Sequence, residues 1–214
     1  MSLRDWFRPA PPLDDGRWLV VDVESSGLNP ARDRLLAIAG VAVWLRDRKP
    51  LIAPGDSFEI VLRQDQAVHD KSNILLHGIG GGAQRAGIDP AEALGAFERW
   101  VGRSPLIAFH AAFDETMIQR AMQAVLGRRL RNPWVDLAHV AEIAQPKAPA
   151  RALDEWLGLH GIVCAVRHQA AADTFATAEL LLKLWPDIAA QRAAPGFRGL
   201  REIADQRRWL TGGR

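Results

Sequence analysis

The chain has 214 residues, 48% of them hydrophobic, enough to bury a substantial core and short enough that a single domain is the expectation. A formal net charge of +2 with 24% charged residues neither demands nor excludes a polyanionic partner. Cys164 is the only cysteine, which excludes an internal disulfide framework and a thiolate-rich zinc site, reads as structural, and fits a reducing, cytoplasmic setting. Acids and prolines stand near the start where a secretory signal needs an apolar run, and no later segment approaches the length of a membrane span.

In chain order, residues 1–16 mix prolines and charge without periodicity and read as an irregular arm. Trp18 to Val23 is a short β-branched run bounded by Gly16 and by Ser25-Ser26-Gly27, which suits a buried strand. Leu35 to Leu45 and Ser57 to Leu62 also favour strands, and with no helix between the three they are expected to pair antiparallel. Gly78-Ile79-Gly80-Gly81-Gly82-Ala83 matches a relaxed dinucleotide fingerprint but follows no clear strand, so a flexible loop is expected there.

Asp89 as N-cap, Pro90 at the first helical position, Glu92 and the closing Gly102 predict a helix over residues 90–101. Pro105 to Phe109 is then a short strand that can join the sheet in parallel, and Phe113 to Leu126 a helix stopped by Gly127. Further helices are expected at Leu137 to Ala144, Arg151 to Leu157 and Ala170 to Leu184, the last ending before Pro186. The pattern is α/β: a central mixed sheet, three antiparallel strands and then parallel ones, flanked by helices, with the folded domain expected over residues 17–186. In residues 187–214, Arg192, Arg198, Arg201, Arg207, Arg208 and Arg214 make a basic segment that fits either a helix packed on the domain or a solvated tail. Trp6, Trp44, Trp100, Trp134, Trp156, Trp185 and Trp209 mostly fall in apolar-periodic stretches and read as packing rather than base-stacking residues, while Trp18 belongs to the first strand.

Asp22 and Glu24 lie two apart in an otherwise apolar strand, so the pleat points both carboxylates to one face. Two such anions repel each other and lose solvation unless a cation compensates, and hard oxygen ligands favour Mg²⁺ or Mn²⁺ over zinc. Two acids exposed at a strand end are the ordinary alternative. Asp114 follows the second apolar strand and reads equally as an N-cap; Asp173 falls in a first helical turn, where the dipole favours a carboxylate without any function. His168, alone in a loop, is most simply a surface residue.

The combination is more specific than its parts. Val21-Asp22-Val23-Glu24-Ser25-Ser26-Gly27-Leu28, Ala108-Phe109-His110-Ala111-Ala112-Phe113-Asp114 and His168-Gln169-Ala170-Ala171-Ala172-Asp173 resemble, in order and spacing, the three motifs of the DEDDh 3′–5′ exonucleases. The resemblance runs from about Trp18 to Leu184 and implies a ribonuclease H-like fold. It implies further that Asp22, Glu24 and Asp173 hold one metal ion, that Asp22 bridges to a second near Asp114, and that His168 is the general base. A sister branch uses tyrosine in place of that histidine, and this chain has no tyrosine.

By the same resemblance, Ser25, Ser26, Gly27 and Leu28 lie against the terminal nucleotide, Leu28 against its base, although the same residues would also form a simple turn. His77, in His77-Gly78-Ile79, would lie beside that nucleotide. The usual asparagine of the second motif is replaced by His110, for which a structural role is favoured. The function implied is removal of nucleotides from the 3′ end of single-stranded DNA by a two-metal-ion mechanism, in proofreading or repair. The alternatives are an exoribonuclease of the oligoribonuclease or ribonuclease T kind, or a non-catalytic nucleic-acid-binding module. The arm before Trp18 and the Arg-rich segment after Pro186 are the expected contacts for a polymerase or repair partner.

Overall fold

The run Arg17–Ser25 that forms strand β1 alternates its side chains between two apolar layers, which is why its sequence is hydrophobic at nearly every position. The computed structural model describes residues 13–66, 74–75, 77–191 and 196–211. β1 pairs antiparallel with β2 (Leu35–Arg46), which pairs antiparallel with β3 (Lys49–Val61). On its other edge β1 pairs in parallel with β4 (Leu106–Ala108), and β4 with β5 (Trp134–Asp136), giving the order β3-β2-β1-β4-β5. The expected mixed sheet is therefore the observed one.

Two differences in the sheet have clear causes. β3 begins at Lys49 rather than Ser57 because it is an edge strand, where Pro50 and Pro54 need no ladder partner on their open side. The register passes from Val41↔Ser57 to Ala42↔Ala53, so Pro54, Gly55 and Asp56 bulge out. β5, absent from the expectation, is only three residues long.

Helices flank both faces. Leu19, Val21 and Val23 pack with α2 (Pro90–Val101) and α3 (Ala112–Leu126), while Trp18 and Val20 pack with α4 (Leu137–Ala144), α5 (Leu153–Leu159), α6 (Ala170–Gln191) and α7 (Phe197–Thr211). Asp89 caps α2 through its side chain to the Ala91 amide, 3.0 Å, and Gly127 ends α3 with φ 67°. The stretch expected as a flexible loop instead contains α1 (Gly81–Ala86), anchored by the fully buried Gln84, whose Nε2 donates to the Ile79 carbonyl at 3.0 Å.

α5 starts two residues later than expected because the Glu155 carboxylate accepts the amides of Arg151 and Ala152 at 2.6 and 3.1 Å, holding them outside the helix. α6 does not stop before Pro186. Trp185 donates from Nε1 to the Arg48 carbonyl at 2.9 Å, and Trp185 and Ile188 are buried, so packing on both sides of the proline outweighs the lost backbone bond. In α7, Phe197, Leu200, Ile203 and Ala204 are buried against α4 and β5, with the Phe197 ring 6.3 Å from that of Trp18. Arg192 and Arg214 lie outside the described residues, as do residues 1–12 and Trp6.

Trp100 of α2 lies so close over β2 that a Cβ at Gly40 would stand 2.5 Å from its ring. Gly40→Ala is therefore expected to destabilise the fold by about 1–3 kcal/mol through overpacking. Urea unfolding would register this as a lower midpoint with an unchanged m-value.

Candidate active site

β1 and β4 run parallel, so their C-terminal ends and the elements that follow meet at one end of the sheet. Asp22 and Glu24 share a face with Trp18 and Val20, the face on which α6 packs. α6 contributes Asp173 from its first turn, and α3, entered directly after β4, contributes Asp114 from its own. Both are buried, 5% and 4% exposed. Arg120 of α3 fixes the segment after β1 by donating to the carbonyls of Pro30 and of Asp33, the latter at 3.0 Å.

The four carboxylates feel one another. Burial first, and then the Asp173 carboxylate, push the Asp22 carboxyl up to about 8, against a partial offset from the Arg167 guanidinium. Burial, Asp22 and Asp173 likewise push Glu24 up to about 8. Burial also raises Asp114 well above the carboxylate range, with Asp22 adding to it and the amides of Asp114 and Val23 opposing it. Asp22 is the member that interacts with the other three.

Asp173 has both oxygens engaged. Oδ2 accepts the His168 amide at 2.9 Å; Oδ1 accepts the Arg167 guanidinium and, at 3.4 Å, the Cys164 thiol. Arg167 also reaches Asp154 on α5 through its Nε. His168 has φ 61°, the left-handed region that is uncommon for a residue with a side chain. Among the described residues, no three His, Cys, Asp or Glu side chains stand at the spacing of a ready-made ion cage. Asp173 is paired with the Arg167 guanidinium, whose charge also reaches Asp22 and Glu24.

Of the remaining candidates, Ser25 is buried and donates to the Gly27 carbonyl at 2.6 Å, while the Ser26 hydroxyl accepts the Arg34 amide at 2.9 Å. Gly27 lies close under Asp33: a Cβ there would stand 2.5 Å from the Asp33 carboxylate, which would have to shift to admit it. Leu28 projects from this turn with 90% of its surface exposed. His77 is buried, its Nδ1 accepting the Ile79 amide at 3.0 Å and its Nε2 meeting no partner among the described residues. Burial lowers its pKa and so favours the neutral ring. His110 is exposed with φ 62°, packs edge-on against Phe109, and gives its amide to Asp136 Oδ1 at 3.0 Å.

Asp136, Arg167 and Asp154 were not among the sequence candidates. Asp136 holds the turn before Asp114 and caps α4 through the Ala138 amide at 3.0 Å. Its only sequence signal was an acid directly before an apolar helix. Arg167 had none beyond its place next to His168.

A five-stranded mixed sheet with acidic helix starts at the ends of its central strands is a ribonuclease H-like architecture, and solved nucleases share it. A structure of exonuclease I superposes with a TM-score of 0.67 at 18% identity, covering 83% of this chain and 44% of that one. Escherichia coli exonuclease I with a dT13 oligonucleotide gives 0.64 at 19% identity, covering 83% and 41%. Cell-death related nuclease 4 gives 0.66 at 13% identity, covering 79% and 63%.

Residues 19–181 match the RNase_T family, described as exonuclease, and the chain belongs to that family. The DNA polymerase III PolC-type protein of Bacillus subtilis is 28% identical over 178 residues, 83% of this chain but 12% of that protein. A DNA polymerase III subunit epsilon-like protein of Rhodobacter capsulatus is 28% identical over 183 residues, 84% of this chain and 25% of that one. The chain thus spans a quarter or less of these relatives. The family is metal-dependent. Among the described residues, no helix is long and apolar enough to cross a membrane.

Proposed function

We propose that the protein is a 3′–5′ exonuclease that hydrolyses the terminal phosphodiester bond at single-stranded DNA ends, in proofreading or repair. The observation that carries the proposal is the gathering of Asp22, Glu24, Asp114 and Asp173 at one end of the sheet, where burial and neighbouring carboxylates push Asp22 and Glu24 up to about 8 and raise Asp114 as well. Such a set remains ionised only with cations between its members, and its all-oxygen donors suit Mg²⁺ or Mn²⁺. Because Asp22 interacts with each of the others, it is the carboxylate that would serve both ions, Glu24 and Asp173 helping to hold one and Asp114 the other. Bound divalent ions supply an acidified water and charge neutralisation at the phosphate and the departing 3′-oxygen.

The chain's own groups do the rest. His168 accepts the proton of the attacking water, an imidazole being suited to that at neutral pH. The Ser25–Leu28 turn, with its exposed leucine, offers an apolar platform for the terminal base. The Nε2 of His77, which meets no partner among the described residues, is a hydrogen-bonding group for the same nucleotide. DNA is preferred to RNA, and a polymerase is the favoured partner, because the relatives above are DNA polymerase III proteins and an exonuclease I structure holds a single-stranded oligonucleotide.

The test is digestion of 5′-labelled single-stranded DNA, mismatched duplex DNA and short RNA, with Mg²⁺ or Mn²⁺ and with chelator. A ladder shortening from the 3′ end of the DNA, with nucleoside monophosphates released, is expected. No divalent-dependent release from any substrate would sink the exonuclease reading, and release from RNA alone would move it to an exoribonuclease.

The raised carboxyls also set a pH dependence. Folded Asp22 and Glu24 hold protons between their ordinary values, 3.8 and 4.5, and about 8, whereas the unfolded chain has released them. Stability of chelated protein should therefore fall as pH rises through that window. Thermal melting from about pH 5 to about pH 8 checks it, with added Mn²⁺ raising the midpoint most at the upper end. A chelated midpoint that climbs with pH would contradict the clustering.

A further inference from the structure

Arg167 is a cation already inside the acidic cluster. Its guanidinium spans two acids on different helices, Asp173 at the buried start of α6 and Asp154 on α5, and its charge opposes the rise of both Asp22 and Glu24. The two anchors differ in kind: Asp173 is 5% exposed, whereas the Asp154 side chain is 62% exposed. The next residue is His168, held in left-handed backbone with its amide on the other oxygen of Asp173. One carboxylate thus fastens both the arginine and the histidine that follows it. A divalent ion that takes Asp173 has to compete for oxygens which Arg167 and the His168 segment now occupy.

We propose that Arg167 is the site's internal cation, pairing with Asp173 until a divalent ion displaces it onto Asp154, and that the same displacement releases the His168 segment to reach the substrate. The proposal rests on the metal-dependent reading above. Arg167 and Asp154 are positioning residues: neither touches the reacting atoms, and both act through Asp173 and His168. An arginine suits this role because it stays charged at every working pH and its fork can hold two carboxylates at once. Relief of the strained His168 backbone adds to the drive for release.

The test is a titration of Mn²⁺ into the full chain, with free Mn²⁺ followed by electron paramagnetic resonance. Arg167→Gln removes the competitor, so its Kd for Mn²⁺ should fall about tenfold, and Arg167→Lys, which keeps the charge without the fork, should fall between it and the parent. Asp154→Asn removes the receiving anchor and should raise the Kd by about threefold. An unchanged or weaker Kd in Arg167→Gln, or shifts of the same sign in the Gln and Asn variants, overturns the proposal. If Arg167→Gln fails to fold, the sign of the Asp154→Asn shift decides.

A second readout uses trypsin, which cuts after arginine. Cleavage of the Arg167–His168 bond should be faster in Mg²⁺ than in chelator, and equal or slower cleavage overturns the release step. Absence of Mn²⁺ binding in every form, the parent included, removes the metal-centre reading along with the proposal. Binding that is intact but insensitive to Arg167 removes the proposal alone.

Discussion

Replacing Asp22 by alanine should abolish nucleotide release, lowering kcat on the order of 10³-fold or more, while making the metal-free protein more stable. The two effects share one cause. Asp22 is the carboxylate that Glu24, Asp114 and Asp173 all act upon, so its removal takes away the shared ligand and, equally, the main source of repulsion in the cluster. Once it is gone, Glu24 loses a neighbour that raises its pKa, and Asp114 loses the larger of the two charges that do so.

The signature to look for is a higher melting midpoint in chelator together with lost Mn²⁺ stabilisation. Asp22→Asn preserves the shape and removes the charge, so it should reproduce both effects without a cavity. A variant that loses activity and also melts lower in chelator would mean that Asp22 is a structural group, hydrogen-bonded rather than opposed by its surroundings.

Much of this site was legible in the sequence because its parts obey local rules. The pleat of β1 puts Asp22 and Glu24 on one side from spacing alone, and the Asp89-Pro90 start of α2 is a backbone requirement written in two residues. What could not be read depends on partners distant in the chain. β5 is too short to have a period, and Pro50 and Pro54 argue against a strand until the edge position of β3 is known. α6 passes through Pro186 because Trp185 finds a carbonyl at Arg48, 137 residues away. Arg167 belongs to the same category: beside His168 it reads as a surface charge, and only the approach of α5 to the start of α6 turns it into a bridge between two acids.

Removing the imidazole of His168 should separate chemistry from metal loading. His168→Ala is expected to lower kcat by about 10²- to 10⁴-fold, the range of a positioned proton acceptor, with the Kd for Mn²⁺ changed little. The reason lies in which atom of His168 meets the acidic cluster. The backbone amide holds Asp173 at 2.9 Å and survives substitution by alanine, so the variant keeps the support of the carboxylate while losing the base.

A glycine at the same position refines the argument. His168 stands at φ 61°, a conformation glycine adopts without cost, so His168→Gly should retain the native turn at least as well as alanine does. Equal activity loss in the two variants assigns the defect to the missing ring, whereas a milder loss in the glycine form would assign part of it to the backbone. Added imidazole offers the last discrimination. Rescue of the glycine variant with a dependence on neutral imidazole would identify proton transfer as the lost step, and a parallel drop in Mn²⁺ affinity in both variants would instead place the ring among the ligands, so that proton transfer and metal binding are not divided between His168 and the four acids.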